Sequence, residues 1–157
     1  MEKQPVARDC FICGWNNEIS MKADYYNDVE AGQVFTEVTI PSYGDGWPGI
    51  AHGGIVAALL DETSYRSIWL DGNYQRVMAT AEMDVRFLRP TPTGQTLKAV
   101  GWTVEMDDVQ AQVIAEIRLL DGTVTARCKG LLLKPSEAFL EKCNYEAEIS
   151  VWKVRED

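Results

Sequence analysis

One stretch of this chain can form a long helix, and that fact decides the architecture. Residues 53–70, "GGIVAALLDETSYRSIWL", contain no proline, and their only glycines are the opening pair. From residue 79 onward the pattern runs with period two. "ATAEMDVRFLRP" places Ala79, Ala81, Met83, Val85 and Phe87 on one face and Thr80, Glu82, Asp84 and Arg86 on the other. "TPTG" turns the chain, then "TLKAVGWTVEM" and "QAQVIAEIRLL" follow with a short turn near Asp107-Asp108. Asp121-Gly122 signals a hairpin into "TVTARCKGLLLK". Ahead of the helix, "MKADYYND" and "QVFTEVTIP" read as two short strands and "SYGDGWPG" as a loop. The spacing predicts strand, strand, long helix and then four strands in a meander. That is an α+β arrangement with one helix against one antiparallel sheet.

A chain of 157 residues with 46% apolar composition fits a single domain with a sizeable core, spanning residues 1–157. Residues 1–19 follow no period, residues 136–157 form a mixed tail expected to be partly helical, and no repeat or linker intervenes. The longest uncharged run, Gly46 to Leu60, is 15 residues, short of the ~20 apolar residues a membrane span needs. "MEKQPVARDC" lacks an apolar signal core, and four cysteines without a dense pattern suit a reducing compartment, so a cytoplasmic location is expected. Fifteen Lys+Arg against 24 Asp+Glu leave a net charge of -9, which argues against nucleic acid and anionic membranes as partners. Cys10 and Cys13 make a C-x2-C pair, half of a four-ligand zinc site. Cys128, Cys143 and His52 supply no second paired half, so no metal is expected.

The helix begins inside "WPGIAHGGIVAALLDETSY". His52, the only histidine, stands nine residues ahead of Asp61-Glu62. On a helical wheel Ile55, Val56, Leu59, Leu60, Trp69 and Leu70 cover one side, while Gly54, Ala57, Ala58, Asp61 and Ser64 form a small-residue face around one carboxylate. Such a face admits close approach of a ligand or another backbone. The N–H groups of Gly53 and Gly54, at the positive end of the helix dipole, can donate to a carbonyl oxygen that gains negative charge. Glycine also lets a substrate lie on the backbone. Asp61 has no cation at i+4 and is flanked by alanines; partial desolvation makes it a candidate base or nucleophile. Glu62 points ~100° away with Arg66 four residues on, which reads as a structural ion pair. Gly53 and Asp61 are eight residues apart, ~12 Å along a helix, whereas a base must come within ~3 Å of its target. One helix therefore cannot complete the site. Two helices antiparallel across a two-fold axis would bring Gly53 of one to Asp61 of the other, making two identical sites.

"GWPGIAHGGIVAALLDE" followed by "ATAEMDVRFLRPTPTG", with "CFICG" ahead of them, closely resembles the PaaI-type hotdog-fold acyl-CoA thioesterases over residues 10–135. The resemblance implies a hotdog fold, one long central helix wrapped by an antiparallel sheet, in a homodimer or a tetramer of dimers that shares active sites and uses no cofactor. It implies hydrolysis of an acyl-CoA, or a related acyl thioester, to free acid and CoA. Carried over by position, Gly53 would give its N–H to the thioester carbonyl beside Gly54. His52 would orient the site or touch the substrate. Asp61 of the partner would be general base, or nucleophile forming an acyl anhydride, and Thr80 aligns with a hydroxyl that some relatives use to hold the attacking water. The chain departs from several relatives at Gly46, where they carry Asn or Gln six residues before the histidine; Trp47 beside it is a candidate for the acyl pocket. The CoA phosphates call for cations, with Arg89 of "FLRP" leading and Arg86, Lys129 and Lys134 behind. An acyl thioester hydratase or dehydratase, and a non-catalytic acyl-CoA binding or sensing module, stay open as alternatives.

Overall fold

The helix forms where the sequence places it. In the computed structural model, which describes residues 1–157, α1 spans Gly53–Arg66 and tightens into a 3-10 turn over Ser67–Trp69. Ahead of it come strands β1 (Glu2–Lys3), β2 (Tyr26–Asp28), β3 (Gln33–Thr39), β4 (Asp45–Trp47) and β5 (Ile50–Ala51). After it come β6 (Ala79–Phe87), β7 (Thr96–Met106), β8 (Gln110–Arg118) and β9 (Val124–Leu133), then short helices α2 (Glu137–Lys142) and α3 (Tyr145–Ser150) in the tail.

Seven strands form one antiparallel sheet in the order β1-β2-β3-β7-β8-β9-β6, and β4 and β5 make a separate hairpin. The expected meander of four strands is therefore three strands long. β6 does not pair with β7; it lies at the far edge against β9, and β7 pairs with β3. The "TPTG" turn thus carries the chain across the sheet, its Gly94 N–H bonding the Ile40 carbonyl at the end of β3 (2.9 Å). The strand expected over "MKADYYND" shrinks to Tyr26–Asp28, because Met21 and Ala23 give their N–H groups to Phe11 and Ile12 of the N-terminal segment instead.

Val56, Leu59 and Leu60 of α1 are at most 2% exposed and pack on Leu97, Ala99, Ala115 and Ile117 of the sheet. Burying each such side chain contributes about 1.5–3 kcal/mol. The expected division of the helix into a core side and a small-residue side needs one correction. Ser64 lies at 1% exposure against the sheet. The sheet comes close here because Gly101 of β7 has no side chain: a Cβ there would sit 2.4 Å from the Thr63 carbonyl oxygen. Some of the small residues on α1 therefore serve helix-on-sheet packing.

The two irregular ends are pinned together beside the C-terminal half of α1. Val6 and Lys153 exchange backbone hydrogen bonds of 2.8 and 3.2 Å, and Trp152 meets Trp69 edge-on at 5.3 Å. No helix is long and apolar enough to cross a membrane.

Candidate active site

The start of α1 is built by its cap. His52 has extended backbone angles, and its imidazole Nδ1 accepts the Gly54 N–H at 2.9 Å; a neutral ring then carries its proton on Nε2. The two glycine amides expected to be free thus differ. Gly54 is spent on the cap, whereas the Gly53 N–H has no acceptor in the chain. The Gly53 backbone is exposed, and Phe87 lies over it, its ring 3.5 Å from where a Cβ would be. Sequence reasoning left Phe87 out, although its place on the Met83–Val85 face of β6 pointed to the helix. Gly46, at the position of the departure, packs against the cap residue: a Cβ there would lie 3.1 Å from His52 Cα. A longer side chain could enter only by shifting the cap.

Asp61 lies two turns further along. Thr80 Oγ1 donates to its Oδ1 at 2.7 Å. Strict alternation assigns Thr80 to the face away from Met83, and the structure corrects this. A bulge between Thr80 and Glu82 leaves Ala81 without a partner on β9, so the residues before it change face. That extra residue aims the Thr80 hydroxyl at the helix. Desolvation lifts the Asp61 carboxyl above the ordinary aspartate value; the Thr80 hydrogen bond draws it back, and the neighbouring Glu62 charge lifts it again.

Glu62 is paired as expected, its Oε1 accepting from Arg66 Nε at 2.9 Å. The buried Arg66 guanidinium lies over the rings of Tyr25 and Trp69 (5.0 and 5.1 Å) and also donates to the Pro5 carbonyl at 2.7 Å. A cavity of about 250 Å³ reaches from Asp61 past Tyr65 and Trp69 to Trp152, with Cys10 and Cys13 in its wall. Burial pushes the Tyr65 phenol up to about 12, so it stays neutral at ordinary pH, and its oxygen accepts the Met78 N–H at 3.1 Å. Neither this cavity nor its aromatic lining is legible in the spacing, because its walls come from three distant segments.

Trp47, Arg86 and Arg89 lie toward the opposite end of α1, whereas Lys134 follows Leu133, the partner of Ala79. Asp45 ties the β4–β5 hairpin, accepting from Thr93 Oγ1 (2.6 Å) and the Gly49 N–H (3.2 Å), so Trp47 and Arg89 stand on neighbouring segments there. Trp47 is 78% exposed. Arg89 is exposed and makes no ion pair, unlike Arg86, which holds Asp84 at 3.1 Å. Lys129 and Lys134 are exposed. Within one chain the structure brings Asp61 to Thr80 but leaves His52 and Gly53 two turns away. As for metals, the donor atoms of Cys10, Cys13 and Glu62 lie within 4.8 Å of one another. They offer three ligands, two of which already hold the Arg66 cation.

The chain has relatives of known family and fold. The family model of the Thioesterase superfamily matches residues 48–126, just over half of the chain. None of the curated proteins matches it by sequence. Among solved structures, a thioesterase superfamily protein is 28% identical over 82% of this chain, with a TM-score of 0.74; this chain spans 62% of that protein's length. The PaaI protein from the phenylacetic acid degradation operon of E. coli is 19% identical, with 66% of this chain and 76% of that one covered and a TM-score of 0.58. A hypothetical thioesterase protein of Streptococcus pneumoniae TIGR4, solved with coenzyme A, is 18% identical, with 65% and 77% covered and a TM-score of 0.59. The last two share the fold, one helix wrapped by an antiparallel sheet, which is the hotdog fold that the resemblance implied. With its match centred on the helix and the strands around it, the chain belongs to the thioesterase superfamily.

Proposed function

We propose that the protein hydrolyses an acyl thioester, foremost an acyl-CoA, to free acid and thiol. The observation that carries this reading is the 2.7 Å hydrogen bond from Thr80 to a half-buried Asp61, on a helix whose first N–H is unpaired. The thioester carbonyl oxygen accepts the Gly53 N–H, where the helix dipole stabilises the charge that develops on attack. Asp61 of the partner subunit takes the proton of the attacking water, or attacks directly. Thr80 holds that water or the carboxylate in line. His52 serves as the cap that fixes the Gly53–Gly54 turn. Gly54 and Trp47 flank the acyl group, and Arg89, free of any carboxylate, receives a phosphate of the CoA.

Sharing the site between subunits follows from the ~12 Å that eight helical residues span. It is supported by the edge of the sheet. The nine residues of β6 pair with β9 on one side only, and Phe87 at its end and Leu88 just beyond are 59% and 57% exposed. A long unpaired edge with apolar side chains calls for a partner, and a homodimer, alone or doubled into a tetramer, supplies one. A hydratase that uses the histidine as its acid or base fits less well, since Nδ1 is committed to the Gly54 amide. The solved fold relative that holds coenzyme A supports the choice of thiol.

The test is a thiol-release assay over a panel of acyl-CoAs. Wild type releases thiol from at least one, and Asp61→Asn is slower by about 10²–10⁴, the range a positioned base contributes. Acyl-CoA binding without release by wild type would replace hydrolysis with the sensing module; full activity in Asp61→Asn would remove Asp61 from the mechanism.

A further inference from the structure

The C-x2-C pair, which the proposed hydrolysis does not use, stands in a built site. Residues 10–14 close one helical turn, the Gly14 N–H donating to the Cys10 carbonyl at 2.8 Å, so side chains three apart project to the same side. Cys10 Sγ accepts the Ile12 N–H at 3.3 Å and lies 3.8 Å from Glu62 Oε2. Cys13 Sγ accepts from the Arg66 guanidinium at 2.9 Å. Both line the cavity between Tyr65 and Trp152, but Cys13 is fully buried whereas Cys10 is only half-buried. One sulfur is thus reachable and the other waits behind it.

We propose that Cys10 and Cys13 form a redox-active dithiol that hydrogen peroxide converts to an intramolecular disulfide, Cys10 attacking and Cys13 resolving. The adjacent Cys13 side chain, with the Ile12 N–H, holds the Cys10 thiol below its ordinary pKa against burial and the Glu62 charge. The thiolate is the form that attacks peroxide. The Cys10 thiolate forms an S–O bond as the O–O bond breaks, and the departing hydroxide takes up a proton as water. Cys13 then attacks Cys10 Sγ: the S–S bond forms, the S–O bond breaks, and a second water leaves. Two thiols give up two electrons and two protons, and one peroxide becomes two waters. A metal centre fits these atoms less well, because the Arg66 guanidinium already bonds Cys13 Sγ and Glu62 Oε1. Cys128, buried alone with only the Leu60 carbonyl at 3.7 Å, and Cys143, exposed and alone, are internal controls.

The inference stands apart from the hydrolytic reading, and its test needs no substrate. The reduced full-length protein is treated with a few equivalents of hydrogen peroxide, quenched by alkylation and mapped by mass spectrometry. The expected result is one Cys10–Cys13 disulfide, reversed by dithiothreitol and formed about tenfold faster than Cys143 is oxidised, as thiolate character dictates. In Cys13→Ser the reaction stops at a sulfenic acid on Cys10, trapped by dimedone; in Cys10→Ser the Cys13 thiol stays reduced. Three results overturn the proposal: both thiols persisting while Cys143 oxidises, a disulfide only between chains, or stoichiometric zinc in the purified protein that shields both thiols from alkylation.

Discussion

Asp61 sits between two demands. The proposed chemistry requires the ionised form, and the half-buried place of Asp61 beside Glu62 disfavours that form, so its pKa is raised and the Thr80 hydrogen bond is the restoring influence. Activity that depends on the carboxylate is lost as pH falls through this raised value, so the acid limb of kcat/KM stands above the ordinary aspartate range. Thr80→Val removes the bond that favours the charge, and the limb moves to higher pH. A pH–rate profile of the two proteins checks this, and an unmoved limb would separate Thr80 from the carboxylate's ionisation. The same shift has a stability consequence. A folded-state pKa above the unfolded one means a contribution present below the unfolded value and lost as pH rises through the folded one. At neutral pH the ionised Asp61 is therefore a burden on the fold. Asp61→Asn should keep or raise the Tm at pH 7 while removing activity, and the difference should narrow in acid; thermal melts at both pH values read it directly.

At the scale of elements, one glycine sets how closely helix and sheet approach. A methyl group at Gly101 would lie 2.4 Å from the Thr63 carbonyl, a backbone atom that cannot swing aside, so Gly101→Ala must lift α1 from β7. Overpacking of this kind costs about 1–3 kcal/mol, and the urea midpoint should fall accordingly with an unchanged m-value. What the sequence makes legible about these elements follows from how local their causes are. The helix announces itself by its unbroken run, and the turns at Asp107 and Gly122 by their own residues, so α1 and the β7–β8–β9 hairpins stand where the pattern puts them. The position of β6 does not, because pairing with β9 rather than β7 is decided by residues far away in the chain. The site divides in the same way. Gly53 and Asp61 are legible as positions on one helix, whereas the face of Thr80 depends on a bulge that period-two reading steps over. The resemblance supplied Thr80 where alternation pointed it the wrong way.

In the proposed hydrolysis the whole molecule must resolve a distance that one helix cannot. The Gly53 amide and the Asp61 carboxylate lie on the same rod, ~12 Å apart at 1.5 Å per residue, and on the proposed reading both serve a single carbonyl group only if they come from different chains. An isologous dimer then contains two sites, each with the amide of one subunit and the acid of the other. This can be tested by mixing two inactive proteins. Gly53→Pro deletes the amide proton at a position where proline suits a helix start, and His52 before it already has the extended backbone that proline requires. Asp61→Asn deletes the acid. Each variant alone leaves both sites of its dimer broken. In a mixed dimer one site joins the intact Gly53 of one chain to the intact Asp61 of the other, while the second site lacks both. Random pairing at equal amounts makes half the dimers mixed, each with one working site, so about one quarter of wild-type thiol release should return after co-expression or refolding together. Activity that stays at the level of the separate variants, in a mixture shown by mass spectrometry to contain the mixed dimer, would place amide and acid in one chain and require α1 to bend.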